Sequence, residues 1–201
     1  MGAKRGLTKL FFEFASIVVA VLLALFLTEA RQNYLDKRKA KNSFEAIQRE
    51  VADNLELIWL DSVSHLEKLD QVNRWLEAPA EIRDTIYVHF EIIHSLTKST
   101  AWEVAKLNQV VHHMPDTLVM AISRVYTMQD FYDKNGRDMY GQMTGIIRDV
   151  NDKEKMEGAM VAYGYELVKE ATSVSTLKQT YQEFLKDYPY QTASPSDSTD
   201  Q

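Results

Sequence analysis

Apolar and polar positions follow three different rhythms along the 201 residues. From Leu10 to Leu27 there is hardly any rhythm, because only Glu13 and Ser16 are polar. As a helix rising about 1.5 Å per residue this run reaches about 27 Å, close to one hydrocarbon thickness. A secretory signal fits in part, with Lys4, Arg5 and Lys9 before the apolar run and Thr28-Glu29-Ala30 as a cleavage triplet. A soluble core helix fits less well, since one of its faces would be polar. The reading carried forward is an uncleaved transmembrane helix over residues 10–28, preceded by a basic tail over 1–9.

No Gly or Pro lies between Gly6 and Pro79, so nothing local stops this helix at the lipid surface. It is expected to continue as a stalk and first bundle helix over residues 29–78. There the rhythm becomes helical: Phe44, Ile47, Val51, Leu55, Ile58, Leu69, Val72 and Leu76 recur every three or four residues, with Ser62 and His65 interrupting the seam.

After Pro79 the text supports two periods. Ile86, Val88, Phe90 and Ile92 alternate as in a strand, whereas Ile82, Ile86, Phe90 and Ile93 keep helical spacing. The sequence offers no partner strand, and an unpaired strand is unstable, so a helix is predicted. "STAWEVAKL" reads as a capping box between Thr100 and Glu103. Pro115 opens a further helix, in which Leu118, Ile122, Val125 and Met128 or Gln129 share a face, and whose glycines allow a kink or break near Asn135-Gly136. A last helix follows Met156 to Tyr188 in the same 3,4 pattern. The predicted class is all-α: a transmembrane helix continuing into a stalk, then an antiparallel helical bundle over 79–188 and a disordered tail over 189–201.

Charge changes the picture. Residues 1–41 hold eight Lys or Arg and three acids, a charge of +5, which leaves -11 for the remainder. An anionic body is repelled by nucleic acid, while a basic collar suits the lipid bilayer. Basic residues flank the span on both sides, but Lys37, Arg38, Lys39 and Lys41 lie well beyond it and weigh less, so the body is expected outside the cytoplasm. Within the span Ser16, Ala20, Ala24 and Thr28 recur every fourth residue, with Glu13 at the end of the row, a face that lets two helices approach closely. Partners expected from this are a second copy or another membrane protein.

Catalytic signatures are missing. There is no cysteine, and no phosphate loop, nucleophile elbow or paired-histidine zinc motif. Glu91 and His94 have the Glu-x-x-His spacing of carboxylate-bridged metal bundles, but no second copy of the motif exists, so no metal and no cofactor are expected.

Two stretches carry a resemblance. "EFASIVVAVLLALFLTEARQNYLDKRK" and "TAWEVAKLNQVVHHMPDTLVMAISRVYTMQDFY" are similar to an uncharacterised bacterial family with a Glu-led membrane anchor and a helical domain that carries a Thr-Ala-Trp-Glu helix start. Members of that family usually have a small-residue turn after this helix, where the chain has Leu107-Asn108-Gln109. The resemblance implies an anchored architecture in the bacterial inner membrane and supplies no catalytic residues. The functional expectation is a non-catalytic interaction or sensing module, with Trp102, Glu103, Tyr126 and Gln129 as a polar-aromatic interaction cluster. A membrane-bound enzyme without a recognisable motif and a passive scaffold are the alternatives.

Overall fold

The computed structural model describes residues 3–91 and 93–189, with side-chain surroundings for residue 14 and from 16 onward within that range. Helix α1, Ala3–Glu77, is uninterrupted over 75 residues. Pro79 lacks an amide to continue it and restricts Ala78 before it. Phe14 and residues 16–27 are all exposed, and α1 is long and apolar enough to cross a membrane. The tail beyond 189 and the Glu13 side chain lie outside the described residues.

The remaining helices are α2, Ala80–Arg83, α3, Thr100–Leu107, α4, Asp116–Val150, and α5, Met156–Asp187, with a 3-10 turn at Val110–His113. Among the described residues there is no strand. Helix α5 runs antiparallel to α1: Phe44 meets Phe184 and Tyr188 at one end, and Val72 lies over Gly164 at the other. It also packs along α4, whereas α3 and the 3-10 turn lie against α1. The all-α class and the continuous stalk are therefore present as expected.

Four local expectations need correction. The predicted helix after Pro79 is only Ala80–Arg83; residues 84–86 make a turn, and residues 87–91 and 93–99 run as an extended strap, which takes Glu91 and His94 off any helix. The capping box is not made: the N-cap is Ser99 without a side-chain bond, Glu103 turns outward to Lys106 at 2.6 Å, and the amide of Ala101 donates to Glu50 of α1 at 2.9 Å. Helix α4 passes through Asn135-Gly136 unbroken. After α3 the turn is made by Gln109, whose φ of 57° is a left-handed conformation that a small residue adopts at less cost.

The fourth correction concerns the face that α1 buries. The apolar pattern selects Leu55, Ser62, Leu69 and Leu76 as one column of the seam, yet these are only half-buried. The buried columns are Val51, Ile58, His65 and Val72, and beside them Ile47, Asn54, Asp61, Lys68 and Trp75, each at a strict seven-residue repeat. Helix α1 is rotated so that Asn54, Asp61 and Lys68 face inward. The strap accounts for that rotation.

Candidate functional site

An extended segment exposes one amide and one carbonyl per residue, and without a neighbouring strand these need other partners. Side chains from three helices supply them. On α1, Gln71 accepts from the amide of His89 (3.0 Å), Nε2 of His65 donates to the Ile93 carbonyl (2.8 Å), and Asp61 accepts from the amide and hydroxyl of Ser95 (2.7 and 2.8 Å). Asn54 acts as a one-residue strand: its oxygen accepts from the Lys98 amide at 2.9 Å and its nitrogen donates to the Lys98 carbonyl at 2.8 Å. From α4 and α5, Gln129 donates to the same carbonyl (3.0 Å), and the Tyr163 hydroxyl lies 3.2 Å from the carbonyls of His89 and Glu91.

The register has a geometric cause. One helical turn rises about 5.4 Å and two extended residues span about 6.6 Å. Residues 71, 68, 65 and 61, on successive turns of α1, therefore meet residues 89, 91, 93 and 95, every second residue of the strap. The intervening side chains, Ile86, Val88 and Phe90, turn into the apolar cluster of Val72, Trp75, Met139 and Tyr163.

At the middle of the bundle these contacts become a polar layer between two apolar clusters. On α1 it occupies Asp61 to Lys68, between Ile58 and Val72; on α4, Asp133 to Gly136, between Tyr132 and Met139; on α5, Glu170 and Ser173, between Leu167 and Val174. His94 of the strap sits at its centre with only 1% of its side chain exposed. Its Nδ1 donates to Glu170 at 2.6 Å, its ring stacks on Tyr132 at 4.2 Å, and Asp133 lies 3.7 Å from Nε2, too far for a hydrogen bond. The ring lies against Gly136, where a Cβ would overlap it.

The two buried histidines titrate in opposite directions. Burial alone would lower the pKa of His94, but hydrogen bonding and the charges of Asp133 and Glu170 reverse this and raise it to about 9, so the ring is cationic at neutral pH. For His65 burial wins, its pKa lies below 6.5, and the ring is neutral. Tyr132 donates to Asp61 at 2.6 Å; burial first and that carboxylate second raise its pKa, so the hydroxyl is protonated at neutral pH. Lys68 is buried, with Glu91 at 3.6 Å as its ion partner and no hydrogen bond among the described residues. Among the described residues no group of three or more His, Asp or Glu is placed to hold a metal ion.

Of the four residues expected as an interaction cluster, Trp102 and Tyr126 meet, while Gln129 is buried with other partners. Trp102 is buried and stacks on Tyr126 at 5.9 Å, Tyr126 donates to Glu50 at 2.6 Å, and Gln129 accepts from Tyr181 at 2.7 Å. Glu103 is outside the group, with its carboxyl half exposed. In the span, Ser16, Ala20, Ala24 and Thr28 are all exposed, and the Thr28 hydroxyl donates back to the Ala24 carbonyl at 2.8 Å. Sequence reasoning missed Asn54, Asp61, Lys68, Asp133 and Glu170. A signal did exist, since Asn54, Asp61 and Lys68 share the heptad column of Ile47 and Trp75.

The architecture is that of a long apolar-ended helix capped by a strapped three-helix bundle. Compared with known proteins, the chain matches no family model, no curated protein and no solved structure.

Proposed function

We propose that the protein is a single-pass protein of the bacterial inner membrane, with its body outside the cytoplasm, and that the body is a non-catalytic interaction or sensing module. One observation carries the reading: the same unbroken helix is exposed and apolar from Ser16 to Leu27 and, from Asn54 to Gln71, forms the wall that holds the strap. A force or ligand acting on the strap thus has a rigid route to the bilayer. The resemblance to an anchored helical family supports the same arrangement. The imidazole-carboxylate pair of His94 and Glu170 favours a positioning role over catalysis, because the remaining ring nitrogen is shut inside and faces Asp133 rather than a cleft.

The test has two parts. Carbonate-washed membranes are expected to retain the chain, and a reporter active only outside the cytoplasm, fused after Asp187, is expected to light up. Release into the soluble fraction would remove the anchor, and activity of a cytoplasmic reporter instead would invert the topology. Turnover of any substrate by the purified chain that is abolished by His94→Gln would replace the module with an enzyme.

A further inference from the structure

One lateral face of the bundle is uncovered. On α1 Trp59, Leu60, Val63 and Leu66 are 52, 61, 40 and 58% exposed, on the side away from the strap. Trp59 and Leu60 form one wall of a groove of about 440 Å³ whose other wall is Lys178 and Gln182 of α5, and Val168, 48% exposed, continues the apolar face along α5. The exposed apolar area is on the order of 500 Å² per copy, so that pairing two copies covers about 1,000 Å², the size at which an interface becomes specific.

We propose that a second copy of the chain covers this face, with α1 of each copy against α5 of the other about a twofold axis along the membrane normal. The proposal rests on the anchored reading, because a span at the base of α1 holds both copies at one height and lets residues of one level meet. An axis parallel to the helices exchanges left and right, so it sets α1 opposite α5 rather than opposite itself. Glu56 and Lys178 line the two sides of the groove at one level. The rotation brings each carboxylate to the other copy's ammonium, whereas direct α1 to α1 contact would set Glu56 against Glu56. An apolar centre with this charged rim has the anatomy of a protein interface.

The chain contains no cysteine, so introduced ones report alone. Two differently tagged full-length chains, one Glu56→Cys and the other Lys178→Cys, are co-expressed and treated in intact membranes with a short bifunctional maleimide. The mixed pair is expected at least tenfold above the product of Asp130→Cys, an exposed position on α4. Adding Trp59→Glu and Leu66→Glu, both surface positions, is expected to remove the mixed pair without shifting the melting temperature. A mixed product no greater than the Asp130→Cys background overturns the proposal. So does a dominant Glu56→Cys self-product, a pair that survives the Trp59→Glu and Leu66→Glu changes, or a photo-crosslinker at Val63 that captures only a different protein. The two readings fail separately: absence of the pair from a chain retained in washed membranes rejects the pairing alone, and a mixed pair formed by a chain found in the soluble fraction rejects the anchor and supports the pairing.

Discussion

At the scale of single residues, His94 and Gly136 act as one unit. The imidazolium fills the space that a Cβ at 136 would take, and the surrounding ring and carboxylates leave it nowhere to move. Gly136→Ala is expected to destabilise the fold by about 1–3 kcal/mol, the usual effect of overpacking, despite removing a helix-weakening glycine. Equilibrium urea unfolding checks this, and an unchanged midpoint would mean that the ring does not sit there. The pH profile follows from the two histidines. A pKa raised from 6.5 to about 9 adds stability that is complete below pH 6.5 and is lost as pH rises through 9, on the order of 3 kcal/mol. The lowered pKa of His65 works on the other limb: its contribution is present above pH 6.5 and is lost as pH falls below that value. Melting temperature is therefore expected to decline between pH 6.5 and 9 in the parent chain and to flatten over that window in His94→Gln. Neither pairing was legible in the sequence, because Glu170 lies 76 positions from His94 and a glycine in helical text looks the same whether it loosens a helix or makes room for a ring.

At the scale of elements, the strap explains what periodicity could and could not give. Its alternation of Ile86, Val88 and Phe90 was visible, and the argument against an extended form was the missing partner strand. A missing partner strand excludes an extended segment only where backbone alone can satisfy backbone. Here Asn54, Asp61, His65 and Gln71 replace the strand, and these bonds also explain why α1 turns Asn54 and Asp61 inward beside the apolar column of Val51, Ile58 and Val72. The 3,4 patterns of α4 and α5 were legible because their inward positions are mostly apolar, as Ile122, Val125, Met160, Leu167 and Leu177 show. Asp61→Ala removes the acceptor of three donors, the Ser95 amide, the Ser95 hydroxyl and the Tyr132 hydroxyl. It is expected to cost about 2–4 kcal/mol, since bonds to a charged group are stronger than neutral ones and all three donors lose this acceptor. Hydrogen exchange locates the effect: amides of residues 87–98 should exchange faster by a larger factor than those of α5, and uniform acceleration would contradict a strap held by this carboxylate.

At the scale of the whole molecule, the all-α class and the uninterrupted first helix could be read directly, because length, hydropathy and the absence of Gly and Pro act locally. The rotation of α1 and the course of the strap could not, since both depend on residues brought together from four elements. Helix α1 also passes through a stretch, Arg31 to Tyr34, that is exposed on all sides. Asn33→Pro breaks it there. The bundle's melting temperature is expected to stay within about 2 °C, because no packing contact is lost, even though proline costs about 3 kcal/mol in a helix interior. Circular dichroism in detergent checks the first statement. The crosslink between Glu56→Cys and Lys178→Cys chains should fall in the same variant, because the two bodies no longer stand at a common tilt.

The strap has a consequence for the order in which the chain assembles. The described residues of the strap make few hydrogen bonds to one another, and their partners lie as far as 76 positions along the chain. Loop closure must therefore precede any gain from these contacts, and the segment can order only after α1, α4 and α5 have met. Refolding should show helical signal first and protection of the strap amides last. The same segment is then the first to open from the native state, leaving three helices around a layer of charges with nothing between them.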